Sequence, residues 1–163
     1  MLDDVLAPDL RLVVCGSAAG RRSAELGQYY AGRGNQFWAT LAATGLTPRL
    51  LSPSEARLLP SFGIGLTDVV KGQSGGDADL DFSRASPDAV RDKILQFQPK
   101  YLCFNGKRAA RVFLGRREIE FEVQPELVGA TALFVAPSTS GAARGFWDQQ
   151  VWHKLAGLVE AAA

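Results

Sequence analysis

Three short runs of uniformly apolar residues constrain this chain most: Leu10–Cys15 (LRLVVC), Tyr101–Phe104 (YLCF) and Ala132–Val135 (ALFV). Strands with one wet face alternate apolar and polar residues. Nearly continuous apolar runs belong to strands covered on both faces, as in a parallel sheet under helices. The segments between them carry helical signals. Phe37, Trp38, Leu41 and Ala42 lie at helical spacing within Gly34–Thr44, and Gly45 stops that helix. Ser52 and Glu55 form a capping box with Pro53 at the first helical position, which predicts a helix to about Leu59. Ser86-Pro87 opens a helix that runs to Phe97 and ends before Pro99. Asn105-Gly106 turns into a basic helix over Lys107–Leu114, and a last helix spans about Phe146 to Ala161. Phe62–Val70 reads as a short extended segment, Gly20 to Gly34 as a loop, and Gly72–Ser83 as a polar, glycine-rich loop. The sum is an α/β fold around a mainly parallel sheet.

No linker, repeat or composition shift divides the chain, so residues 1–163 are expected to form one domain. Hydrophobic residues make up 47% and charged residues 21%, which excludes a disordered chain or a coiled coil. The apolar runs are far shorter than the roughly 20 residues that span a bilayer. No basic segment precedes an apolar one at the N-terminus, so no membrane association and a cytoplasmic location are expected. The net charge of +1 leaves the distribution of charge to decide about nucleic acid. Cys15 and Cys103 sit in buried runs and read as core residues, neither a disulfide framework nor a zinc site. The single histidine, His153, falls on the terminal helix, so any mechanism should run without histidine.

In parallel sheets, sites lie beyond the carboxyl ends of the strands. Three segments follow such ends: GSAAG (16–20), NGKRAA (105–110) and PSTSGAAR (137–144). GSAAG could cradle a planar or anionic ligand with backbone amides, or be simply a tight turn. In PSTSGAAR, Ser138, Thr139 and Ser140 could bond phosphate oxygens and Arg144 could pair with one, or the loop could be merely solvated. Arg21-Arg22, Lys107-Arg108, Arg111 and Arg116-Arg117 follow the other two strand ends, either as a phosphate-binding footprint or as a solvated helix face. Tyr29-Tyr30 could stack on a base or cover the core. Asp68 is a carboxylate in an otherwise apolar segment and is either capped, ion-paired or functional. Asp77, Asp79 and Asp81 alternate in a loop that reads as a solvated acidic stretch, with a metal site as the other possibility.

The blocks LAPDLRLVVCG, YAGRGNQFW, GLTPRLL, GIGLTD and PSTSGAAR, in this order, resemble the mismatch-specific uracil-DNA glycosylase and thymine-DNA glycosylase branch of the uracil-DNA glycosylase superfamily. The likeness covers nearly the whole chain. It implies a three-layer α/β/α sandwich around a short, mainly parallel sheet. It also implies a monofunctional enzyme that flips uracil or another modified or mismatched base out of DNA and hydrolyses its N-glycosidic bond, initiating base excision repair. No metal or organic cofactor is implied, and a monomer is expected.

The resemblance also suggests roles for residues. Gly16, Ser17, Ala18 and Gly20 would lie against the flipped base and its sugar, which asks Gly16–Gly20 to stay small. Tyr30 would stack on the base, Ser138 would border the same pocket, and Asn35 would order the loop and helix. Ser140 would pack the DNA backbone, Gly141, Ala142 and Ala143 would form the wedge, Arg144 would stand beside it, and Lys107 would contact phosphate. The better-known members carry in the first motif an Asn that positions the attacking water, and Ala18 stands at that position. The catalytic role then passes to Asp68, with Asp77 on a closing loop as the next choice. The carboxylate would stabilise the positive charge that builds on the sugar and take a proton from water. The alternative is a non-catalytic lesion- or mismatch-binding protein of the same fold, and a third reading is a hydrolase of free nucleosides.

Overall fold

A computed structural model describes residues 2–71, 73–75, 80–141 and 147–162. Five strands form one sheet: β1 (Leu12–Gly16), β2 (Ile64–Asp68), β3 (Tyr101–Asn105), β4 (Glu122–Val128) and β5 (Thr131–Ala136), in the order β2-β1-β3-β5-β4. β2, β1, β3 and β5 are parallel, and β4 runs antiparallel to β5 at one edge. Helices α1 (Arg21–Leu26), α2 (Phe37–Ala43), α3 (Pro87–Phe97), α4 (Lys107–Leu114) and α5 (Gln149–Ala161) cover it, with 3-10 helices at Pro53–Phe62 and Phe82–Arg84.

Successive side chains of a strand face opposite ways, and both faces of this sheet are dry. Leu12 and Val14 pack with Phe37, Leu41, Trp152 and Leu155 from α2 and α5. Val13 and Cys15 pack on the other side with Ile94, Ala109 and Phe113 from α3 and α4. These are the three layers that the apolar runs imply. Cys15 and Cys103 are free and fully buried core residues. His153 is exposed on α5.

Four readings change. The segment Gly20–Gly34 contains α1, a six-residue helix that the glycines at its borders disguise. The capping box at Ser52 and Glu55 forms as expected, but the helix it starts is 3-10 and runs on to Phe62. Pro60 inside it has no amide to give an α-type bond. β4 was not anticipated at all. Its polar sequence and Pro125 suit an edge strand, where one side of the ladder meets water. The last helix starts at Gln149, capped by the Asp148 carboxylate accepting from the Gln150 amide at 2.9 Å.

The N-terminal segment adds to β2. Val5 and Leu66 exchange backbone bonds of 2.9 and 2.8 Å. Gly65 makes this approach possible, because a Cβ there would stand 2.6 Å from the Val5 carbonyl oxygen.

Candidate active site

The sheet order sets four strand ends side by side, and a cavity of about 430 Å³ opens beyond them. From β2 comes Asp68, from β1 Gly16, from β3 Asn105, and from the loop after β5 Ser138, Thr139, Ser140 and Gly141. All three segments singled out in the sequence therefore meet at one site. Ser17, Ala18, Gly20, Tyr30 and Lys107 line the same cavity. Ala142, Ala143 and Arg144 lie outside the described residues, as do Asp77 and Asp79.

The first motif is tied down by backbone. The Gly16 and Ser17 carbonyls accept from the Val69 and Val70 amides at 3.0 and 2.8 Å, so the ends of β1 and β2 stay paired past the strands. Gly16 and Asp68 are register partners. A Cβ on Gly16 would stand 2.8 Å from Asp68 Oδ1 and 3.0 Å from the Tyr30 hydroxyl. Gly20 differs: nothing lies within 4 Å of a Cβ built there. Protein atoms themselves require a small residue at Gly16; at Gly20, which lines the cavity, no protein atom does.

Asp68 is 4% exposed. Burial pushes its carboxyl up to about 7, and Asp4 adds to the rise. The Lys71 ammonium, 3.7 Å from Oδ2, and the Gly16 amide pull the other way. Asp68 is the only carboxylate among the described residues lining the cavity. Ala18 presents a methyl group there, which can neither orient nor deprotonate water.

Tyr30 takes a left-handed backbone conformation, φ 52°, which a bulky residue adopts only when its surroundings enforce it. Its neighbours do so. The Trp38 indole donates to the Tyr29 carbonyl at 3.0 Å, and Phe37 packs on the Tyr30 ring with centroids 4.1 Å apart. One face of the ring is therefore covered. The Tyr30 hydroxyl is buried and makes no hydrogen bond of ordinary geometry among the described residues, although the Asn105 amide lies near it. Burial raises it far above the ordinary phenol value, Asp68 adds to this, and the Asn105 side chain opposes it. Tyr29 turns inward as a core residue, only 4% exposed. Asn35 orders the loop as anticipated, accepting from the Phe37 amide at 2.9 Å, and it also borders the cavity.

Asn105, read in the sequence as the turn residue that heads the NGKRAA segment, fastens one wall of the cavity. Its Nδ2 donates to Thr139 Oγ1 at 2.9 Å, and its Oδ1 accepts from the Thr139 amide at 3.0 Å. The Thr139 carbonyl in turn accepts from the Gln36 amide at 2.8 Å. Gly106 follows with φ +102°, and a Cβ there would stand 3.1 Å from that of Ser138. A buried Asn at a strand end was the available signal, since buried amides need partners on all sides.

The basic residues divide. Arg33, Lys107 and Arg108 border the cavity. Lys107 and Arg108 are steadied by aromatic rings, Phe121 at 4.6 Å and Phe82 at 4.3 Å. Arg111, Arg116 and Arg117 line a separate cleft with Arg108, and Arg116 is committed to Glu126 at 2.8 Å. Among the described residues no group of three His, Cys, Asp or Glu side chains could hold a metal ion, and no helix is long and apolar enough to cross a membrane.

The fold is an α/β sandwich with a cavity at the strand ends whose described lining residues include a single carboxylate, Asp68. The chain belongs to the uracil DNA glycosylase superfamily, whose pattern it matches over residues 4–157. Its fold resembles the solution NMR structure of a protein from Methanosarcina acetivorans described as a "putative Uracil DNA glycosylase". The TM-score is 0.68 at 21% identity, over 98% of this chain and 96% of that one. Family membership supports an N-glycosyl hydrolase of the DNA glycosylase kind, with DNA as the macromolecule acted on.

Proposed function

We propose that the protein is a monofunctional DNA glycosylase of the mismatch-specific branch, excising uracil and other modified bases, with Asp68 as its base and electrostatic stabiliser. One observation carries this reading: Asp68 is the only carboxylate among the described lining residues, and it is buried at the end of β2. The order of the sequence blocks around it supports the branch.

The chemistry follows from the position. The glycosidic C1′–N bond breaks with its electron pair leaving on the base, and positive charge develops on the sugar. The Asp68 anion stabilises that charge across a desolvated gap. Water adds its oxygen to C1′, one water proton passes to Asp68, and that proton is handed on through solvent to the departing base anion, which leaves Asp68 ionised again. The products are a free base and an abasic sugar, with one water consumed. Gly16 leaves room for the Asp68 carboxylate at the cavity wall, Tyr30 offers a ring face to the base, and Ser138 borders the pocket. Lys107, with Arg33 and Arg108, supplies positive charge for phosphates, and Ser140 and Gly141 stand where the backbone would pass. Gly141, Ala142 and Ala143 keep their proposed wedge role, with Arg144 beside it, on the strength of the sequence block alone. The pocket's small lining favours a broad range of bases.

Ala18 favours one other reading, a lesion-binding protein of the same fold that does not cleave. Single-turnover assays on labelled oligonucleotides separate the two, with uracil in single strands and opposite guanine or adenine. Heat and alkali reveal abasic sites. Product from the wild type establishes the glycosylase. DNA binding without product would leave the lesion-binding reading standing.

A further inference from the structure

The Asp68 carboxylate does not stand alone. Beside it Lys71, which does not itself line the cavity, is held in a cage. Its Nζ lies 2.9 Å from Asp4 Oδ1, 3.7 Å from Asp68 Oδ2, 3.1 Å from the Leu2 carbonyl oxygen and 3.2 Å from the Tyr29 hydroxyl. Asp4 is itself fixed: Thr67 Oγ1 donates to it at 2.8 Å, and Lys93 of α3 pairs with its other oxygen. The Val5–Leu66 bridge sets the register that brings Asp4 beside Thr67. Three parts of the chain thus meet at one ammonium group: the N-terminal segment, the end of β2 and the loop carrying Tyr29.

We propose that Lys71 is a positioning residue that holds Asp68 in its ionised, reactive form, and that the N-terminal segment exists at this site to hold Lys71. This inference rests on the assignment of Asp68 as the base.

The argument is one of charge balance. Burial strips water from Asp68 and favours its neutral form, which cannot accept a proton. Asp4, a second carboxylate nearby, works in the same direction. Lys71 is the cation beside Asp68 that opposes both. The other groups facing this carboxylate are Tyr29, Tyr30 and Cys15, all held neutral by burial, and Asp68 raises each of them further. Lys93 pairs with the second oxygen of Asp4, so Asp4 is shared between two cations and Lys71 is not its sole partner. The contact of 3.7 Å is loose enough to keep a proton acceptor available on the carboxylate, whereas the tight pair is made with Asp4.

The test is the pH profile of single-turnover uracil excision in wild type, Lys71→Met, Lys71→Arg and Asp68→Asn. The wild-type rate should rise with pH to a plateau. Loss of an opposite charge at this distance moves a carboxylate by about one pH unit or more. Lys71→Met should therefore move the midpoint up by about that much, with the alkaline plateau kept within roughly threefold. One pH unit below the wild-type midpoint, the rate should fall about tenfold. Lys71→Arg should restore the midpoint. Lys71→Gln replaces Lys71→Met should the latter fail to fold by circular dichroism. An equal drop at every pH with an unmoved midpoint would overturn the proposal, since that is what a merely structural lysine predicts. An active Asp68→Asn would instead remove the assignment of the base. An inactive Asp68→Asn beside an unmoved Lys71→Met midpoint would sink the role of Lys71 alone.

Discussion

Gly16 and Asp68 end neighbouring strands in register, and the carboxylate oxygen of Asp68 occupies the space that any side chain on Gly16 would need, 2.8 Å from its Cβ. The glycine is there for the carboxylate. The absence of a Cβ at one strand end opens the reactive group of the next.

Gly16→Ala should therefore displace both Asp68 Oδ1 and the Tyr30 hydroxyl, and lower single-turnover excision by roughly 100-fold, the usual effect of a misplaced reactive group. Gly20→Ala should leave the rate within about twofold, because its Cβ meets nothing and its φ of −64° suits any residue. Comparing the two variants on one substrate checks the claim.

Asp68 should weaken the fold at the pH where it works. Its carboxyl is raised from 3.8 to about 7, so the folded protein binds this proton more tightly than the unfolded chain does. Stability from this group is full below about pH 4, declines as pH rises through 7, and stays low above. Asp68→Asn should match wild type near pH 4 and exceed it at pH 8 by roughly 1–4 kcal/mol. Denaturant melts at the two pH values measure the difference.

Tyr30→Phe removes a buried hydroxyl that makes no hydrogen bond of ordinary geometry among the described residues and keeps the ring on Phe37. It should raise stability by about 1 kcal/mol, visible as a higher Tm. A drop in Tm would show that the hydroxyl is satisfied in solution.

Asn105→Ala should cost about 2–3 kcal/mol, since two buried bonds to Thr139 are lost and their partners are stranded. Excision should fall as well, because that loop forms one wall of the cavity. Urea unfolding beside the excision assay separates the two effects.

Much of this arrangement was legible in the chain. The strands at Leu12, Tyr101 and Thr131 announced themselves because both faces are dry, so no alternation obscured them. The glycines and small residues after them marked the site for the same reason that they are needed there. β4 was hidden because an edge strand may carry Glu122, Pro125 and Glu126 without penalty. α1 was hidden because a short helix held by its neighbours needs no strong propensity of its own. Lys71 and Asp4 were invisible as a pair. They stand 67 residues apart, and only the bridge of Val5 to Leu66 brings them together. Asn105 looked like a turn residue because its partner, Thr139, arrives from a distant loop.

The central claim is that the base has moved from the first motif to Asp68. It is tested most directly by the single-turnover rate of uracil excision from a guanine-paired duplex at pH 8, wild type against Asp68→Asn. The account predicts an abasic product from the wild type and a rate lower by at least about 100-fold in the variant, with DNA binding retained. An undiminished rate in Asp68→Asn would contradict it.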